Sequence, residues 1–370
     1  MVGTILSYLK DFGDREFQDM PFNEVDSLIL CQMAYLKFEG LVPGIDQPAR
    51  SVSIRELAAD KGKEGLFADK RYEKVNRELF EGMLRGKRFG GIRLSAYVNL
   101  IEEDWEMQFS AVTVHLGDDI SYIAFRGTDE SIVGWREDCN MAFLEQIPAQ
   151  HCAVKYCNQI AGQLQGKLML GGHSKGGNLA VYAGMNCPPM LQKRIQRIYN
   201  MDGPGFRPEI LKKCAYDRIS DRVEKILPHA SFIGMLFERE DRYTVVESRE
   251  IGLLQHDPFS WVVEDDHFVR ADGVYGGRRF LDEAVNEWME SLTLEETKEC
   301  IDILFRVLEA SHARDLIELE SDKKKYLAGI AEAMRELEPE KLRMMWEILK
   351  ALFEITGSKA LKEVENWFST

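Results

Sequence analysis

The feature that most constrains the fold is the stretch KLMLGGHSKGGNLAVYAG at positions 167–184. An apolar run leads into Gly172-His173-Ser174-Lys175-Gly176, and a helical run rich in small residues follows. A G-x-S-x-G by itself says little, because Gly and Ser are common. A strand before it and a helix after it make it specific. In that setting the serine occupies a sharp, strained turn. A side chain two positions to either side would collide with the neighbouring strand or helix, which is why glycine stands there. The helix behind Ser174 also points its first backbone N–H groups at any negative charge that develops nearby. Ser174 is therefore the candidate nucleophile, and an ordinary tight turn is the alternative that these flanks disfavour.

A serine that attacks an acyl carbon needs a base, an orienting acid and an oxyanion hole. On an α/β-hydrolase scaffold the order along the chain is Ser, then Asp or Glu, then His. Downstream of Ser174 lie His229, His256, His267 and His312. His229 ends an expected strand too early to follow an acid, and His312 falls in a helical tail. His256, in LLQHDPFSW, follows the last expected strand and is the preferred base, with His267 in reserve. For the acid, Asp202 in YNMDGPGF stands directly after a strand and before a turn. Glu224 and Asp241 remain open, Asp257 is too close in sequence to His256, and a plain turn-forming Asp is the bland reading of Asp202. Lys175 offers the backbone N–H after the nucleophile. AFRGTDES offers a second donor at Thr128, unless Thr128 or Asp129 simply caps a helix.

Around this centre the pattern is that of an α/β protein. FNEVDSLILCQMAYLKF begins with a helix signal, with Asn23 as cap and Asp26 in the first turn. Residues 41–90 read as loops with one or two amphipathic helices. QFSAVTVHL and ISYIAFRG form an expected antiparallel hairpin across Gly117-Asp118-Asp119. Helices and strands then alternate through RYTVVES, which predicts a mostly parallel sheet covered by helices on both faces. From 291 strand signals vanish. Thr293 with Glu296 makes a capping box, Pro339 marks a helix start and Gly357 a stop. The expected division is a hydrolase domain over 1–290 and an acidic, all-helical accessory subdomain over 291–370.

Composition excludes several classes of function. A formal charge of −15 argues against nucleic acid, which needs a clustered basic surface. No apolar run approaches the roughly 20 residues of a membrane span, and no cleavable signal pattern stands at the start. The seven cysteines, at 31, 139, 152, 157, 187, 214 and 300, have no framework spacing and fit free thiols in a reducing cytoplasm. No nucleotide-binding glycine motif is present, so no cofactor is expected. The run Glu264-Asp265-Asp266-His267 reads as a solvated face, since no Gly inside it would let the residues converge on a metal. His115, within an expected strand, reads as a paired sheet residue.

FRGT followed by GHSKGG resembles the class 3 (fungal triacylglycerol-type) lipases, in which an F-R-G-[ST] loop furnishes the oxyanion hole and GHSLGG carries the nucleophile. The region from FNEVDSLIL through AFRGTDESIVGWREDCNM, GGHSKGGNLA, YNMDGPGF and QHDPFSW is similar to a bacterial family of lipase-like α/β-hydrolases, over residues 1–290. The resemblance implies Ser174 as nucleophile, His256 as base, and Thr128 with Lys175 as oxyanion donors. Class 3 lipases carry their acid after the following strand, where this chain reads ILPHASFIG and offers Ser231. MDGPG resembles instead the turn that bears the acid in pancreatic-type lipases, which implies Asp202. Lys175 stands where the lipases have Leu. Its cation could favour an anionic substrate or could point into solvent. Residues 131–148, with Trp135, Met141, Phe143 and Leu144, occupy the lipase lid position. They form either a mobile lid, burying acyl surface at roughly 25 cal/mol per Å², or a helix packed permanently on the core. The expected activity is that of a serine hydrolase acting on a carboxylic ester or thioester, with a small acyl ester or a lipid as substrate and contact with a membrane surface at most. A catalytically idle scaffold is the alternative, and a peptidase or acyltransferase a third reading.

Overall fold

The structure is a computed structural model. It describes residues 2–274 except 48, 49, 70, 71, 118, 130, 142, 143, 232 and 239–241, together with 293, 295, 296, 298, 299 and 302. Asp241, Cys300, His312, Pro339 and Gly357, and with them nearly all of the expected accessory subdomain, lie outside the described residues. The Thr293 capping box is formed: Thr293 N–H donates to Glu296 Oε2 at 2.7 Å, and Glu296 N–H donates to Thr293 Oγ1 at 3.2 Å.

The chain opens with β1 (Val2–Gly3), α1 (Ile5–Phe12) and α2 (Glu24–Met33). Asn23 caps α2 as its sequence predicts, its side chain accepting from Val25 N and Asp26 N. Asp26 does more than meet a helix dipole, because it is fully buried and forms an ion pair with Arg88 in which both side chains are sealed from solvent. Its carboxylate accepts from Arg88 Nε at 2.7 Å, from Tyr8 OH at 2.9 Å and from Asn23 N at 2.9 Å. Arg88 also donates to the carbonyls of Arg15, Met20 and Pro21, so one guanidinium ties the N-terminal loop to the core. Then come β2 (Val52–Ser53), α3 (Ile54–Ala59), α4 (Glu73–Arg85) and α5 (Lys87–Gly90).

Six longer strands and one short one extend from β2: β3 (Arg93–Glu102), β4 (Met107–Gly117), β5 (Ile120–Phe125), β6 (Lys167–His173), β7 (Ile195–Met201), β8 (Val223–Pro228) and β9 (Tyr243–Val246). They form one eight-stranded sheet in sequence order, antiparallel from β2 to β5 and parallel from β5 to β9. The expected hairpin is β4–β5. The strand β3 is not evident from periodicity, because a register shift between Ser95 and Val98, with Ala96 at φ 55°, breaks the alternation. Leu94 and Tyr97 consequently face one core and Ala96 the other. His115 is paired in the sheet as expected, its Nε2 lying 2.8 Å from Ser95 Oγ.

Between these strands run α6 (Ile132–Asn140), α7 (Pro148–Gln163), α8 (Lys175–Asn186), α9 (Pro189–Gln192) and α10 (Pro208–Lys213). Side chains alternate across the sheet. Tyr122 and Ala124 join α1, α2 and α4 in one core, while Ile123 and Phe125 join α7 and α8 in the other. Both faces are thus covered, as a parallel sheet requires. After β9 the chain pairs β10 (Val263–Glu264) with β1 and with β11 (His267–Phe268) in a small antiparallel sheet. The acidic run therefore does contain a tight turn without glycine, made by Asp265 at φ 53°. No group of three or more His, Cys, Asp or Glu suited to a metal occurs among the described residues. The six described cysteines are free. No described helix is long and apolar enough to cross a membrane.

Removing Arg88 would leave the buried Asp26 carboxyl without its counter-ion. Arg88→Leu is therefore expected to cost about 3–5 kcal/mol, and the double change Asp26→Leu with Arg88→Leu to recover much of it. Denaturant midpoints of the two proteins check this, and equal losses would refute the role given to the pair.

Candidate active site

Ser174 stands at the junction of β6 and α8 with φ 59° and ψ −134°, a left-handed conformation that costs a non-glycine residue about 1–3 kcal/mol. The surrounding glycines show what holds it there. A Cβ on Gly172 would lie 2.2 Å from the Gly176 carbonyl carbon, and one on Gly176 would lie 2.2 Å from the Phe125 oxygen. The two glycines of the motif thus pack on each other and on the end of β5. A Cβ on Gly127 would come within 2.1 Å of Tyr35 OH, 2.6 Å of the His173 oxygen and 3.2 Å of Ser174 Cβ. The FRGT loop therefore lies directly against the elbow.

Asp202 follows β7 at φ 52° and is fully buried. Its Oδ2 accepts from His256 Nδ1–H at 2.7 Å, and its Oδ1 accepts from Ser231 Oγ–H. Ser231 Oγ in turn accepts from Gly234 N at 3.0 Å, and a Cβ on Gly234 would strike Asp202 Oδ1. Ser231, where the resemblance to class 3 lipases would place an acid, thus gives its hydroxyl to the carboxylate that follows the preceding strand. A carboxylate acts only as an acceptor, so Nδ1 carries the proton and Nε2 of the neutral ring is left free to accept one.

His256 ends a 3₁₀ turn (Gly252–His256), and Gln255 anchors that turn. Gln255 Oε1 accepts from Ala230 N at 2.9 Å, its amide donates to the Glu250 carbonyl at 2.8 Å, and its own carbonyl accepts from Trp261 Nε1 at 2.9 Å. His173, the residue before Ser174, lies against the His256 ring, the centroids 4.5 Å apart and the planes tilted by 34°. His173 Nε2–H donates to the His256 carbonyl at 2.8 Å, which leaves Nδ1 to accept from Tyr35 OH at 3.4 Å. Ser174 Oγ caps no amide of α8, and no hydrogen bond joins it to His256 among the described residues.

The other histidines and carboxylates are engaged elsewhere. His229 is buried, with Nε2 2.9 Å from the Gln255 amide nitrogen. His267 is exposed on β11, 3.2 Å from Asp266. Glu224 pairs with Arg197 at 3.2 Å, and Asp257 accepts from Phe259 N at 3.0 Å.

Thr128 does not cap a helix. Ser131 caps α6, accepting from Gly134 N at 3.1 Å, and Asp129 accepts from Ser131 N at 3.0 Å. The Thr128 hydroxyl donates to Asp138 Oδ2. The Lys175 side chain is turned neither to solvent nor to a substrate. It is buried and donates to Glu137 Oε2 at 2.9 Å, to Gln108 Oε1 at 2.9 Å and to the Gln108 carbonyl at 3.0 Å. As the first helical residue of α8, its own N–H has no acceptor within the helix. Sequence reasoning missed Gln255, Glu137 and Asp138. It named Ser231 and held His173 inside the motif, but foresaw neither the Ser231–Asp202 bond nor the His173–His256 contact.

Asp138, on α6 beside Thr128, has its carboxyl raised to about 6, chiefly by burial and against the pull of Lys175. An acid whose folded pKa is raised binds its proton more tightly in the folded state, so its contribution to stability is greatest below its ordinary value near 3.8. That contribution is lost as pH rises through about 6. Asp138→Asn is expected to remove this decline while still accepting from Thr128. Urea midpoints between about pH 4 and 7 measure it, and parallel slopes in the two proteins would show that Asp138 titrates normally.

A family model described as Mbeg1-like matches residues 83–306, a span that holds the sheet from β3 to β9, the elbow, the Asp202 turn and His256. No curated protein and no solved structure matches the chain. With more than half of its length under that one model, this chain belongs to the Mbeg1-like family.

Proposed function

We propose that this chain is a serine hydrolase that cleaves a carboxylic ester or thioester through an acyl-enzyme, in keeping with a lipase-like family. The observation that carries the reading is the hydrogen bond from His256 to the buried Asp202, beside a serine held in strained backbone at a strand–helix elbow. In this mechanism His256 Nε2 takes the proton from Ser174 Oγ as the oxygen attacks the acyl carbon. The tetrahedral oxyanion is received by the backbone N–H groups of Thr128 and Lys175. The His256 imidazolium, stabilised by Asp202, then gives its proton to the departing alcohol or thiol. Water, deprotonated by His256, attacks the acyl-serine, and the imidazolium returns the proton to Ser174 Oγ as the acyl–oxygen bond breaks and the acid leaves.

One observation favours the idle scaffold instead, namely that Ser174 Oγ and His256 are not hydrogen-bonded. Fluorophosphonate labelling separates the two readings. The wild type is expected to label at Ser174 and Ser174→Ala not to label, whereas an unlabelled, folded wild type would favour the scaffold. Asp202→Asn is expected to lower kcat by roughly 10³–10⁴-fold through the wrong imidazole tautomer. Ser231→Ala, losing one bond to the charged acid, should lower it by about 10–100-fold. His256→Ala should abolish turnover and His267→Ala largely spare it. The reverse result would move the base.

A further inference from the structure

Helix α6 lies against the oxyanion loop: Thr128 donates to Asp138, and a Cβ on Gly134 would lie 2.8 Å from Thr128 Cγ2. Its underside is held by charge. The Glu137 carboxylate is completely buried, and both of its oxygens are used. Oε2 accepts from Lys175 Nζ at 2.9 Å and from Gln108 N at 3.0 Å, and Oε1 accepts from Ala149 N at 2.8 Å. One side chain of α6 is thereby joined to β4, α7 and α8. The outer side is fastened too. Arg136 forms an ion pair with Glu106 at 2.8 Å and donates to Asp302 at 2.9 Å, and Asn140 donates to Glu106 at 2.8 Å. Just beyond α6, Met141 and Leu144 pack against the α7–α8 core, while the Trp135 side chain and Phe143 lie outside the described residues.

A helix that swings open at a lipid surface needs an apolar underside, whose exposure the lipid then offsets. Opening α6 would instead present a carboxylate to lipid and strand the Lys175 ammonium in a buried site. Separating such a pair is strongly unfavourable. The net charge of −15 further opposes approach to an anionic bilayer. Ile251 and Leu254 are exposed on the turn leading to His256, but two apolar side chains make too small a patch to seat the protein on a lipid surface.

Building on the hydrolase reading above, we infer that α6 is a fixed wall of the site and that the substrate is a single acyl ester dispersed in water, not a lipid drawn from an aggregate. Lys175 fixes this wall by holding Glu137. The departure from the lipase motif is thus what converts a lid position into permanent structure.

Two measurements on the full chain test this. The first is the hydrolysis rate of a short-chain triglyceride followed through its solubility limit. Saturation is expected below the limit, with a change of less than about two-fold across it. A several-fold step upward at the limit would overturn the inference. The second needs no turnover and follows hydrogen exchange at the α6 amides with and without vesicles of phosphatidylcholine or phosphatidylglycerol. Protection equal to that of α8, unchanged by vesicles, is expected, and Glu137→Gln should speed exchange in α6 selectively. Vesicle-induced loss of protection in the wild type refutes the fixed wall. A protein that hydrolyses no ester while α6 stays protected refutes the hydrolase reading and leaves the wall standing.

Discussion

Three segments of backbone meet at Ser174 at separations that only glycine allows. Gly172 touches Gly176, Gly176 touches the end of β5, and Gly127 touches the backbone of His173 and the Cβ of Ser174. This convergence sets everything else in the site. It drives Ser174 into positive φ, brings the FRGT loop alongside the elbow, and places the first amide of α8 where no helical acceptor reaches it. A methyl group at Gly172 or Gly176 would wedge β6 from α8 or α8 from β5, against backbone that cannot yield as a flexible side chain would.

On either side of that elbow a buried charge is managed differently. On one side Asp202 is sealed from solvent and keeps two partners, the His256 ring and the Ser231 hydroxyl. Such an acceptor holds one tautomer of the ring, and it favours the charged imidazole once a proton arrives. On the other side Lys175 directs its ammonium away from the elbow into a cage of Gln108 and Glu137. The elbow is thus bordered by a carboxylate that serves the ring and by a cation that is already satisfied.

How much of this is legible in the chain depends on how local the cause is. The elbow, the Asn23 cap, the Thr293 capping box and the β4–β5 hairpin are set by residues within a few positions of each other, and each is recovered from sequence. The strand β3 is also local but is hidden, because its bulge resets the alternation that identifies a strand. Asp202 could be chosen from its turn, but the hydroxyl that supports it lies 29 residues downstream. Gln255 pins the His256 turn near the end of β8, whereas the small sheet carries His267 to an exposed strand, and neither placement is local to the histidine.

By itself the sequence determined the strand–turn–helix around Ser174 and the order of the elements that follow, and it put forward Asp202, His256, Thr128 and Lys175 as candidates beside that serine. Those follow from short-range sterics and periodicity, which travel with the chain. Only the tertiary structure decided that Ser231 serves Asp202, that His173 lies beneath His256, and that Lys175 is spent on Glu137, which lies 38 residues before it. A side chain's partners depend on which distant segments the sheet brings beside it, and nothing local to Lys175 records whether its cation meets solvent, substrate or a buried carboxylate.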